Sequence, residues 1–129
     1  MSDSPLVLLV GHCMPDSFGL TRMVKSAARG VVVKRVNSER ALRARLDAAS
    51  LLLVNRVLDG RFNEAGGVEL IARLAASEAA TAMMLVSNYS DAQAAAVEAG
   101  ALPGFGKQAL RAPETADRVR AALVQTPRV

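Results

Sequence analysis

The alternation of short runs of aliphatic residues with longer alanine-rich segments of helical spacing restricts what this chain can fold into more than any other feature. Runs at residues 6–10, 31–36, 51–54, 82–86 and, more weakly, 102–106 read as five strands. The first, third and fourth are apolar throughout instead of alternating, the pattern of strands covered by helices on both faces. They are the expected central strands. Between the runs, Asp16-Ser17 is placed to cap a helix reaching about residue 28, with Gly30 as a stop, and Asn37-Ser38 to cap one over 39–47. Gly66-Gly67 precedes an apolar stripe at Val68, Leu70, Ile71 and Leu74. Ser90-Asp91 is placed to cap 92–99, which ends at Gly100, and Pro113 sits in the first turn of a last helix reaching Val124. Five β-α units imply a parallel sheet, and right-handed crossovers leave few strand orders, of which 2-1-3-4-5 is the commonest. The predicted class is α/β, a flavodoxin-like (βα)5 three-layer sandwich.

At 129 residues, 51% of them hydrophobic, the chain fits one domain over 1–129 with its core at roughly 5–124. No apolar run approaches the roughly 20 residues of a membrane-spanning helix. The opening Met1-Ser2-Asp3-Ser4-Pro5 has neither a basic n-region nor a small-residue cleavage site, and a single cysteine forms no internal disulfide, so a cytoplasmic location is expected. The net charge of +4 comes from thirteen arginines and three lysines spread along the sequence, with no polybasic tract. Aromatics make up 3% and tryptophan is absent, so neither a nucleic-acid partner nor a membrane is expected.

In such a sheet the ligand crevice lies beyond the carboxyl ends of the central strands. The residues there are Gly11-His12-Cys13, Asn55-Arg56, Ser87-Asn88 and Lys107. Around them, Ser50-Leu51-Leu52-Leu53-Val54-Asn55, Leu58-Asp59-Gly60, the stretch from Met83 to Asp91, and Ala99-Gly100-Ala101 followed by Lys107 together resemble the CheY-like receiver domains of bacterial response regulators. The resemblance spans about residues 5–124, and each motif is short. It puts Asn55 at the phosphate-accepting aspartate, Gly11 and His12 at the acidic pair that holds magnesium, and Ser87 and Lys107 at the family's Ser/Thr and Lys. The loop after Asn55 is a few residues longer than usual, through Arg61 to Ala65.

The departures from that pattern carry the functional expectation. Magnesium prefers hard oxygen ligands, which neither glycine nor imidazole supplies, so no cofactor is expected and magnesium binding is expected to be lost. An amide at Asn55 is no nucleophile, so an acyl phosphate cannot form there. Asp59 and Asp16 are the substitute acceptors to weigh, each poorly served without a metal. Gly104 stands where receivers carry a switch aromatic, with Phe105 one place later, and Gln108 replaces the proline after the lysine, which disfavours a cis peptide. Lys107 is left to bond the Asn55 carbonyl or a nearby backbone carbonyl.

His12 and Cys13 are the only residues of their kind. With no further histidine or cysteine to complete a metal site, structural roles are the simpler reading, and a ligand or redox role for His12, Cys13 or Arg56 the sharper one. Met83-Met84 read as core filling. The leading expectation is a pseudo-receiver: a non-enzymatic signal-transduction module that acts by protein-protein contact without aspartyl phosphorylation. The resemblance adds a homodimer or partner face at the fourth helix, fifth strand and fifth helix, about residues 91–99 and 113–124. The alternative is a small-ligand or anion sensor in which Gly11 makes room in the crevice, and an anion is held by Ser17, Arg56 and Lys107 at a helix N-terminus.

Overall fold

A computed structural model describes residues 4–77 and 81–125 of the chain. The expectation placed on the first residues, that they form no signal peptide, concerns positions partly outside these. Five strands and five helices alternate: β1 (Leu6–Val10), α1 (Met14–Ala27), β2 (Val32–Val36), α2 (Glu39–Arg45), β3 (Leu51–Asn55), α3 (Gly67–Ala76), β4 (Ala82–Val86), α4 (Ser90–Ala99), β5 (Leu102–Phe105) and α5 (Pro113–Gln125). The sheet is parallel in the order β2-β1-β3-β4-β5, the flavodoxin-like topology of the sequence analysis. The three fully apolar runs are its three central strands.

Their side chains divide between two cores, because successive residues of a strand point to opposite faces. Val7, Leu9, Leu51, Leu53 and Met84 pack with Leu20, Val24 and Val119 of α1 and α5. Leu8, Val10, Leu52, Val54, Met83 and Leu85 pack with Leu42, Leu70, Ile71, Leu74 and Ala96 of the other three helices. Burying each such aliphatic side chain contributes about 1.5–3 kcal/mol, so contiguous apolar strands need helices on both sides. Both methionines of β4 are buried core residues.

Several helix ends differ from the expectation. Asp16-Ser17 does not cap α1: the helix begins at Met14 with Cys13 as its cap residue and Pro15 in the first turn, a position where a missing N–H costs nothing. α1 closes at Ala27, and Gly30 lies beyond it in a turn that requires φ +71°. Ser38 does cap α2, accepting from the Ala41 amide at 3.0 Å, while Asn37 uses its side chain elsewhere. α2 then tightens into a 3-10 turn at Leu46–Ala48. Ser90-Asp91 lies inside the first turn of α4, whose cap residue is Tyr89.

The long loop after β3 folds back over the sheet. Val57 bridges Gly66, Ser38 bridges Arg61, and the Asp59 and Arg61 amides donate to Gly11 and Asn37 carbonyls at 2.9 Å. Arg73 of α3 pins it through Glu64 and reaches Glu39 of α2 at 2.7 Å. Leu58 is thereby pressed onto the end of β1.

Candidate functional site

The carboxyl ends of β1, β3 and β4 meet where the crevice was expected, and the loop decides what space remains there. Gly11 has φ +76°, and a Cβ on it would stand 2.6 Å from the Leu58 Cδ2 atom and 3.1 Å from the Leu58 Cα. No side chain fits at this position, so Gly11 does not open the crevice for a ligand: Leu58 fills the place.

Asn55, the last residue of β3, ties this end of the sheet together. Its Nδ2 donates to the Gly11 carbonyl at 2.9 Å and to the Val57 carbonyl at 2.8 Å, joining β1 to the first turn of the loop. Both donors of the amide are used on groups that only accept. An aspartate has no hydrogen to give either carbonyl.

His12 is fully buried, and its Nε2 lies 2.8 Å from the Leu53 carbonyl, which fixes Nε2–H as the donor. Nδ1 has no hydrogen-bond partner. The His12 carbonyl accepts from Arg35 Nε and Asn37 Nδ2, each at 3.0 Å, so both ends of the residue serve the fold. Burial pushes the imidazole pKa from 6.5 down to about 4, against the Leu53 bond, which favours the proton; Lys107 and Arg35 add to the lowering. Because the folded pKa lies below the unfolded one, stability is complete above pH 6.5 and is lost as pH falls towards 4. The loss expected from this residue is about 3 kcal/mol. Urea denaturation between these limits reads it directly, and His12→Gln, which keeps a donor but cannot titrate, is expected to remove it. An unchanged slope in that variant assigns the acid sensitivity elsewhere.

Cys13 is half-buried at the start of α1, where its carbonyl accepts from the Ser17 hydroxyl at 2.8 Å. Ser17 is itself buried and committed to that bond. Lys107 does not bond the Asn55 carbonyl or a backbone carbonyl, as the sequence suggested. It forms an ion pair with Asp16 at 2.6 Å, because the first turn of α1, starting earlier than expected, brings that carboxylate opposite the end of β5. The bond from Lys107 holds the Asp16 carboxyl below its ordinary range. Asp59 is exposed, with Arg35 at 4.0 Å, so neither aspartate stands where Asn55 does.

Asn55, Arg56, Ser87, Tyr89 and Lys107 line a hollow of about 210 Å³. The Ser87 hydroxyl accepts from the Tyr89 amide at 3.1 Å, and the Arg56 guanidinium sits 4.7 Å from the centroid of the exposed Tyr89 ring. Gly11, His12 and Cys13 do not line this hollow. Among the described residues no group of three or more His, Cys, Asp or Glu is placed to hold a metal ion. The side chains around the strand ends do not fit magnesium: Asp16 is tied to Lys107, Asp59 lies exposed beside Arg35, the Asn55 amide is engaged, His12 is buried, and Ser87 offers a lone hydroxyl.

Gln93 of α4 was missed by sequence reasoning. Its Nε2 lies 2.9 Å from the Leu85 carbonyl, 3.1 Å from that of Ser87 and 3.3 Å from that of Phe105, while its Oε1 accepts from the Gly104 amide at 3.1 Å. One side chain thus stitches α4 to β4 and β5 beside the position of the absent aromatic. A Cβ at Gly104 would stand 2.1 Å from the Leu85 carbonyl oxygen. Phe105 is buried among core residues, and no described peptide is cis, that after Lys107 included. A lone amide facing a glycine in an alanine-rich helix was the available signal.

No protein-family model matches the chain, and no curated protein does. Solved structures do. A response regulator from Thermotoga maritima superposes with a TM-score of 0.75 at 19% identity, over 95% of this chain and all (100%) of that one. The non-phosphorylated receiver domain of the stress response regulator RcsB from Escherichia coli gives 0.71 at 17% identity over 96% and 95% of the two chains. An orphan response regulator of H. pylori gives 0.70 at 16% identity over 93% and 97%. The chain therefore has the CheY-like receiver fold of response regulators. No helix among the described residues is long and apolar enough to cross a membrane.

Proposed function

We propose that the chain is a pseudo-receiver: a non-enzymatic signalling module that works by protein-protein contact and is independent of aspartyl phosphorylation. The observation that carries this reading is the use of both Asn55 amide donors on the Gly11 and Val57 carbonyls. At the site where a receiver carries its nucleophile, this chain has a structural clasp. Three further features support it: Leu58 filling the place of one magnesium carboxylate, Lys107 committed to Asp16, and Gln93 holding α4 where a switch must move.

Loss of magnesium binding belongs to the same reading. In amide NMR spectra recorded with millimolar magnesium, no saturable shift is expected at Gly11, Asn55 or Ser87. A saturable, site-specific response at those amides refutes it. Partner contact, including self-association, is assigned to α4, β5 and α5, where Val97 is 44% exposed on a helix whose packed side is otherwise satisfied.

The 210 Å³ hollow favours a second reading, a sensor of a small anion between Arg56, Ser87 and Lys107. A ligand that binds only the folded state raises the unfolding midpoint by mass action. A midpoint shift from inorganic phosphate or small carboxylates that is abolished by Arg56→Ala would support the sensor, and its absence favours the contact module.

A further inference from the structure

No run of consecutive basic residues occurs, yet one continuous stretch of the sequence, which forms one edge of the sheet, carries nearly half of the cations. Residues 25–45 contain seven of the 16 lysines and arginines and one of the 12 acids, a local charge of +6 against +4 for the whole chain. The remainder is net negative. These residues form the last turn of α1, the turn into β2, β2 itself and α2, and β2 is the edge strand farthest from β5. Lys25, Arg29, Lys34, Arg40 and Arg45 are exposed there, and none has a carboxylate partner among the described residues. Glu39, the one acid, is already shared by Arg43 and Arg73. Elsewhere some cations are used inside the fold, Lys107 on Asp16, Arg118 on the Gly104 carbonyl and Arg120 on the Ala27 carbonyl at 2.8 Å, while Arg22, Arg56, Arg61 and Arg111 are exposed.

A lysine on an edge strand guards against edge-to-edge pairing, but five uncompensated cations exceed that need. Protein interfaces centre on buried aromatic or aliphatic anchors, and the flank offers only Val32, 39% exposed. Without an aromatic it has no platform for unstacked bases. Charge without anchors suits a regular array of phosphates, where released counterions supply the affinity. We propose that the β2 flank binds the phosphodiester backbone of duplex nucleic acid without reading its sequence, a function separate from the contact face at α4, β5 and α5.

The test is fluorescence anisotropy with the full chain and a labelled DNA duplex of about 20 base pairs over a salt series. Each phosphate neutralised contributes about −0.9 to the slope of log affinity against log salt, so a slope of roughly −3 to −5 is expected. Arg29→Ala with Arg40→Ala is expected to weaken binding at least tenfold and to reduce the slope by about 2. Ala94→Glu with Ala95→Glu changes net charge by the same amount on the exposed side of α4, beside β5 at the opposite edge of the sheet, and is expected to leave affinity within about twofold, since charges more than a Debye length away are screened. Equal losses in the two variants overturn the proposal, as does tighter binding to poly-glutamate or to phosphatidylserine vesicles than to the duplex. Binding to a single strand as tight as to the duplex, without salt dependence, overturns it too.

Discussion

Asn55→Asp is expected to destabilise the chain by about 3 kcal/mol at neutral pH and to leave it without a working acceptor site. The substitution keeps the side-chain shape but removes two donors and sets a carboxylate against the Gly11 and Val57 carbonyl oxygens, which stand 2.9 and 2.8 Å from the present nitrogen. Unpaired acceptors facing one another raise the carboxyl pKa, since its neutral form alone can donate; Arg56 and Lys107 on the same hollow oppose this only in part, Lys107 being held by Asp16 and Arg56 lying over Tyr89. The sign of the pH effect follows. The penalty is full at neutral pH and shrinks as pH falls through the raised folded pKa, so the variant approaches the parent on acidification. Urea midpoints of both proteins at neutral pH and near pH 4.5 measure it as a difference, which cancels the His12 contribution. Equal stability of the two chains at neutral pH shows that the clasp does not hold the crevice.

Restoring an aromatic at the switch position is expected to have the larger effect: Gly104→Phe is expected not to fold cooperatively. Its Cβ would lie 2.1 Å from the Leu85 carbonyl oxygen and 2.9 Å from Gln93 Oε1, so β5 has to leave β4 before the ring finds space. Gly104→Ala carries the same Cβ and is expected to cost about 3 kcal/mol, at the upper end of ordinary overpacking, because the obstacle is backbone. Adding Gln93→Ala relieves only the flexible neighbour and is expected not to rescue it. Recovery of the urea midpoint in that double variant places the obstruction at Gln93 instead and makes the path between α4 and β5 adaptable.

The fold was legible in the sequence because its evidence is local. Leu51 to Val54 is apolar at every position, and only a strand covered on both faces needs that. The site was legible by position but not by contact. Asn55, Ser87 and Lys107 do line one hollow, yet the partner of Lys107 is Asp16, 91 residues earlier, reached because Pro15 starts α1 sooner than Asp16-Ser17 suggested. The filling of the Gly11 place by Leu58 depends on how a long loop folds back, which no periodicity encodes. Gln93 escaped for the same reason: its four partners come from β4, β5 and the loop between β4 and α4, none adjacent to it in sequence.

The central claim is that this receiver fold does not accept a phosphoryl group, and intact-mass analysis after incubation with acetyl phosphate and magnesium tests it most directly. The expected result is a single species at the unmodified mass under conditions that phosphorylate a receiver bearing the acceptor aspartate. A stoichiometric adduct of one phosphoryl group, released by hydroxylamine as an acyl phosphate is, would contradict it and show that a carboxylate of this chain accepts the group.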